Sequence, residues 1–229
     1  MYQFSDDSLM LHNDLYQINM AESYWSDGIH ERISVFDLYF RSMPFNSGYA
    51  VFNGLKRVID FIEKFGFIDE DIQYLKSIGY KDDFLNYLKD LKFTGNIKSM
   101  QEGELCFGNE PLLRVEAPLI QAQLIETILL NIINFHTLIA TKASRIRQIA
   151  LNDTLMEFGT RRGQEIDAAL WGARATFIGG FDSTSNVRAG KLFDIPVSGT
   201  HAHALVQTYG DEYTAFKKYA LSLIHISEP

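Results

Sequence analysis

Three clusters in the second half of the 229-residue sequence carry side chains able to do chemistry. Arg161-Arg162 follows the run Leu155-Met156-Glu157-Phe158-Gly159-Thr160. A guanidinium presents a planar fork of donors that matches phosphate or carboxylate oxygens, so the pair suits an anionic ligand; on a loop it is equally ordinary as solvated surface. Gly179-Gly180-Phe181-Asp182 comes next. The glycines would let backbone approach a ligand closely, and Asp182 reads either as the cap of a following helix or as a hydrogen-bond partner for a substrate. Last comes Gly199-Thr200-His201-Ala202-His203. Two histidines two apart in extended chain share a face and could bind a metal, as in a metal-dependent barrel hydrolase. Alternatively one imidazole is a nucleophile or base, with Gly199 and Thr200 donating to an anion. No Cys, Glu or Asp stands at ligand spacing beside the histidines, which weakens the metal reading.

What must position these groups is a set of short apolar runs at 155–158, 175–178 and 195–198, each ending in small or polar residues. Helix-like segments at 166–174 and 185–193 separate them. Strand, loop and helix recur roughly every twenty residues, the pattern of βα units in a parallel sheet or barrel. In that architecture the loops after the strands open on one face and carry the chemistry, which is the reason to expect an enzyme.

Upstream, the periodicity predicts a helix over 8–27 closed by Gly28, a strand over 33–40, a turn around Pro44 and a short strand over 49–52. A helix follows from Leu55, then two more over 69–78 and 82–91 with acidic starts, with Gly79 as a C-terminal cap between them. Strands are expected over 97–100, 105–107 and 112–116. Pro118 then opens a long helical stretch to about residue 152, expected to break once near His136–Thr141. Its basic residues Lys142, Arg145 and Arg147 read as solvated surface, with phosphate contact as the alternative. The expected fold class is α/β. An N-terminal α+β domain spans 1–118, connecting helices span 119–152, and the first βα units of an incomplete α/β barrel span 153–220.

Composition narrows the function classes. Net charge is −8, with 21 basic and 29 acidic residues, which argues against non-specific nucleic-acid binding while leaving room for a local basic pocket. The single cysteine, Cys106, excludes an internal disulfide framework, suits a reducing cytoplasm and reads as buried and structural. No secretory signal opens the sequence. The longest apolar stretch, 119–140, is interrupted by Gln121, Gln123, Glu126, Asn131, Asn134 and His136, so it reads as a buried helix and not a membrane span. A soluble cytoplasmic protein is the expectation.

Five separated segments, LHNDLYQINMAESYW, FDLYFRSMPFNSGYAVFNGL, EFGTRRGQ, FIGGFDSTSNVRAG and VSGTHAHALV, together resemble the nicotinate phosphoribosyltransferase family over about residues 5–220. The resemblance implies a type II phosphoribosyltransferase-like fold. It also implies transfer of a phosphoribosyl group from phosphoribosyl pyrophosphate to nicotinate, coupled to ATP hydrolysis through a phosphohistidine and assisted by Mg²⁺. On that basis His203 is expected to be the phosphorylated residue, Thr200 a nicotinate contact, and Arg161 the arginine that binds the anionic substrate. Tyr16 is expected to stack on the pyridine ring from a neighbouring subunit of a homodimer with shared active sites, with Phe158 as the opposing face. Asp182 is similar in place to an acidic residue near the base in the sister nicotinamide phosphoribosyltransferases, the nearest rival reading. A non-catalytic binding module is a further one. Residues 221–229 match nothing in the family and are expected to be foreign sequence. The fragment as written is expected to be inactive, because an unclosed barrel exposes apolar strand edges.

Overall fold

Residues 8–227 are described by the computed structural model. Helix α1 (Leu15–Ser26) starts later than the periodicity predicts. The preceding segment is a turn instead, held where the Asn13 side-chain amide donates to Met10 O at 3.1 Å and Leu124 O at 2.8 Å. Gly28 follows α1 in the left-handed region at φ +68, as expected. Then come β1 (Ile33–Leu38), a 3-10 turn over Pro44–Asn46, and β2 (Ala50–Val51). Phe45 and Asn46 both adopt positive φ in that turn, and Arg145 holds it by donating to Phe45 O at 2.9 Å.

Helices α2 (Leu55–Glu63), α3 (Asp69–Ser77) and α4 (Asp82–Asp90) fall where expected. They are followed by β3 (Asn96–Ser99), β4 (Leu105–Cys106) and β5 (Leu113–Pro118). An antiparallel sheet runs in the order β1-β5-β3, with Ile33 opposite Pro118 and Ser99 opposite Leu113; β2 and β4 form a separate antiparallel pair. Cys106 is buried with its thiol against Ala50 O at 3.5 Å. Burial and the nearby Glu110 charge push it up to about 11, so it is an unreactive thiol in a packing role.

The long helical stretch breaks once, but at Ile125, between α5 (Leu119–Leu124) and α6 (Glu126–Ala150). The expected break at His136–Thr141 is absent, and the hydroxyls of its two threonines find partners without disturbing the helix. Thr141 Oγ1 donates to Thr137 O at 2.6 Å and accepts from Val51 N–H at 2.9 Å, while Thr137 Oγ1 pairs with Asn53. The threonines thus dock β2 on the helix without interrupting it. The stretch is buried, as its apolar run predicts: Ile120, Leu124, Ile125, Ile128, Leu129, Ile132 and Ile133 share one cluster with Phe52, Phe84, Leu88 and Val115.

Beyond α6 lie β6 (Met156–Glu157), α7 (Glu165–Ile178), β7 (Ser183–Thr184), α8 (Val187–Phe193), α9 (His203–Tyr209) and α10 (Glu212–Ser227). The run 175–178, expected as a strand, is the last turn of α7. A four-residue apolar run has no period of its own, and here the alanine-rich segment before it carries the helix through. The true strand comes five residues later. Gly179-Gly180 does permit close approach, but to α6 and not to a ligand: a Cβ on Gly179 would lie 2.5 Å from Ala140 O and 2.6 Å from Ala143 Cβ. Helix α10 continues through the segment expected to be foreign; residues 228–229 of that segment, and 1–7 of the expected first domain, lie outside the described residues.

Ion pairs join the two halves: Arg57 on α2 donates to Asp167 on α7 at 2.9 Å, and a second pair is more buried. Arg174 on α7 donates to both oxygens of Glu102, at 3.0 and 2.6 Å, and the same carboxylate accepts the Gly54 amide at 2.9 Å where α2 begins. Burial pushes the Glu102 carboxyl up, but Arg174 and the Gly54 and Lys56 amides outweigh it and hold it below the ordinary value. Its stabilising contribution is therefore present above the usual carboxylate range and lost as pH falls below it. Both side chains are about 15% exposed or less. Arg174→Met is accordingly expected to cost roughly 1–3 kcal/mol in urea unfolding, because it strands a largely buried carboxylate.

His136, buried between Phe135 and Trp171, makes stability acid-sensitive in a second way. Burial holds its imidazole down to about 4, against the hydrogen bond to Ile132 O, with Arg57 lowering it further. The unfolded ring takes a proton near 6.5 and the folded one does not until about 4, so stability falls as pH drops through that window. Urea midpoints measured from pH 7 to pH 4 are expected to decline more steeply for the native sequence than for His136→Gln.

Candidate functional site

Three short strand segments lie side by side and point the same way. β6 pairs with β7 in parallel, Met156 opposite Ser183 and Glu157 opposite Thr184, and Thr184 in turn bridges Val197 in parallel. The backbone ladder is regular: Ser185 N–H donates to Glu157 O at 2.9 Å, Thr184 N–H to Pro196 O at 3.0 Å, and Ser198 N–H to Thr184 O at 3.0 Å. Because the strands are parallel, the chain leaves all three at one edge. That edge carries the 3-10 turn Thr160–Arg162, the start of α8, and the segment from Ser198 into α9.

Arg161 sits in the first of these turns, and its side chain is exposed along with that of Arg162. Thr200 and His201 precede α9, His203 is its first residue, and all three are exposed. The two histidines are not equivalent. His201 packs on Phe216 at 5.0 Å and Tyr219 at 5.7 Å of α10, whereas no ring contact involves His203 among the described residues. Parallel pairing thus brings Arg161, Thr200 and His203 to one edge of the strands.

Asp182 is the exception. It stands before β7, at the opposite end of the strand, not in the loop beyond it. Its Oδ2 accepts from the Leu155 amide at 2.7 Å and from Arg147 Nη2 at 2.5 Å, and these two donors lower its carboxyl below the ordinary value. Arg147 also donates to Gly180 O, Leu151 O and Asp153 O, so one of the basic residues expected on a solvated face ties the end of α6 to the strand. The group that caps α8 is Asn186, whose Oδ1 accepts from Ala189 N–H at 3.0 Å.

Tyr16 and Phe158 are both about half exposed, at 52% and 45%. They line different hollows. Tyr16 borders a cavity of about 500 Å³ with Tyr39, Phe40, Asn134 and Thr137, while Phe158 borders one of about 270 Å³ with Lys142, Ile146 and Met156. Within one chain the two rings do not share a cavity. Among the described residues no three His, Cys, Asp or Glu side chains gather to hold a metal ion, so the paired-histidine hydrolase reading finds no third ligand in them. No helix of the described residues is long and apolar enough to cross a membrane.

The sequence reading overlooked Glu157 and Thr184, which link the strand ends by side chain. The available signal was a carboxylate inside the apolar run Leu155–Phe158.

A family model described as the nicotinate phosphoribosyltransferase (NAPRTase) N-terminal domain matches residues 11–134. The chain is 65% identical over 220 residues to the nicotinate phosphoribosyltransferase of Bacillus subtilis, covering 96% of this chain and 45% of that protein. It is 45% identical over 201 residues to nicotinate phosphoribosyltransferase 2 of Arabidopsis thaliana, covering 86% and 36%. Its fold matches the human nicotinic acid phosphoribosyltransferase with a TM-score of 0.81 at 39% identity, over 86% of this chain and 40% of that one. A nicotinate-nucleotide pyrophosphorylase from Pyrococcus furiosus, at 24% identity and a TM-score of 0.77 over 96% and 49%, shares the fold. The chain therefore spans less than half the length of these relatives. With more than half of its residues matched by the family's N-terminal domain, the chain belongs to the nicotinate phosphoribosyltransferase family.

Proposed function

We propose that the protein of which this chain is part transfers a phosphoribosyl group from phosphoribosyl pyrophosphate to nicotinate, giving nicotinate mononucleotide and pyrophosphate in NAD biosynthesis. One observation carries the reading: in a member of this family, the turn bearing Arg161 and the segment bearing Thr200 and His203 leave the two outer of three parallel strand segments, on either side of β7, at the same edge.

The residues fit the roles. Nicotinate's ring nitrogen attacks the ribose carbon that bears pyrophosphate, and negative charge gathers on the departing group. Arg161 is suited to hold that charge because its guanidinium is exposed on a short, bonded turn. His203 has an exposed imidazole at the same edge and would accept the γ-phosphoryl group of ATP on a ring nitrogen, releasing ADP; water later returns it as inorganic phosphate. Thr200 supplies a hydroxyl to the nicotinate. Phe158 would stack on the pyridine ring from one side. Tyr16, half exposed and away from Phe158 in its own chain, would reach the opposite face from a second copy, so the working unit is a homodimer in the cytoplasm.

The test uses full-length protein. Incubation with ATP is expected to place acid-labile phosphate on the native protein and none on His203→Ala, and turnover with nicotinate is expected to exceed turnover with nicotinamide. Equal or greater use of nicotinamide would reassign the substrate, and phosphate persisting on His203→Ala would remove the phosphohistidine. Asp182→Asn serves as a control: it is expected to lower the melting temperature while leaving the KM for nicotinate unchanged, because its partners are Arg147 and the Leu155 amide.

A further inference from the structure

The backbone ladder at the three strand ends needs no charged side chain, yet β6 ends in one. Glu157 uses both carboxylate oxygens. Oε1 accepts from the Gly159 amide, and Oε2 accepts from the Thr184 hydroxyl at 2.6 Å. Thr184 is 1% exposed, and its Oγ1 also accepts from Asn186 N–H at 3.0 Å. A chain of side-chain bonds thus runs from the turn after β6, across β7, to the cap of α8.

The turn it grips is held at its other end as well. Gly159 O accepts from the amides of Arg162 at 2.8 Å and Gly163 at 3.0 Å. At Gly163 a Cβ would lie 2.9 Å from the Cα and N of Ala169, so the turn is seated on the backbone of α7. At Gly159 a Cβ would lie 2.6 Å from Glu157 Oε1, so a side chain there would push the carboxylate from its present place. Between these fixed points hang Thr160, Arg161 and Arg162. The strand bonded to Thr184 on its far side is the one that leads to Thr200 and His203.

We propose that Glu157 is a positioning residue, which sets where the Arg161 guanidinium stands relative to His203 by clamping the Arg161 turn to Thr184. This rests on the reading of Arg161 as the arginine that binds the phosphoribosyl donor. A carboxylate bonded to two donors in different segments transmits position where an apolar side chain would only fill space.

The experiment compares full-length native protein with Glu157→Ala, Glu157→Gln and Thr184→Ser, by steady-state kinetics and by hydrogen exchange of the 159–163 amides. Glu157→Ala is expected to raise the KM for phosphoribosyl pyrophosphate about tenfold or more, since displacement of a charged clamp by even 1 Å is costly. The KM for nicotinate should change less than about twofold, which separates loss of Arg161 placement from general damage. Glu157→Gln, whose amide oxygen still accepts, should fall between, and Thr184→Ser, which keeps the hydroxyl, should match the native protein. Exchange at 159–163 should accelerate in Glu157→Ala while that in α6 does not. Unchanged donor KM in Glu157→Ala overturns the proposal, as does an equal rise in both KM values. Should the native full-length protein show no transfer from phosphoribosyl pyrophosphate, the functional reading fails by itself. Exchange then decides the clamp, with unchanged protection at 159–163 overturning it and local acceleration upholding it.

Discussion

Everything at the candidate site depends on three strand segments being parallel. Residues 156–157, 183–184 and 197 give only a handful of hydrogen bonds, but they decide which loops share an edge. Had the middle strand run the other way, Asp182 would stand with Arg161 and His203, and Asn186 would not. Parallel strands require a crossover between each pair, and α7 and α8 provide it. The crossover helices are held in turn by the first domain: α7 lies on α6 with Gly179 against the Ala140 carbonyl, and Arg174 locks it to Glu102 at the start of α2.

The long helix α6 is therefore part of both halves. Its first half sits in the core with Phe52 and Phe84, and its second half receives α7 and the Arg147 network. Charged contacts across that junction, Glu102–Arg174, Arg57–Asp167 and Asp182–Arg147, accompany a smaller apolar core than the first domain has. A small apolar cluster of Leu170, Ala173 and Ala189 is what the second half adds.

Much of this was legible in the sequence where period and punctuation agreed. α2, α3 and α4 carry acidic starts or apolar faces, and Gly28 and Gly79 mark ends at which the backbone does take positive φ. Cys106 as a buried thiol and Arg161 as a residue just past a strand were also readable. The failures share a cause. Ala175–Ile178 and the threonines of α6 do not show their state in their own composition, because neighbours set it: an alanine-rich helix running on in one case, Val51 and Asn53 amides in the other. Misplacing that one strand also put Asp182 at the wrong end of β7. Glu157 was passed over because a lone carboxylate in an apolar run has no periodic signature; its partners Gly159 and Thr184 are brought to it only by the parallel fold.

The most direct measurement is a crystal structure of the full-length protein with phosphoribosyl pyrophosphate bound. The account predicts the Arg161 guanidinium within hydrogen-bonding distance of the donor's phosphate oxygens, with the His203 imidazole lining the same cleft. A donor bound elsewhere, or Arg161 and His203 opening onto separate faces, would contradict it.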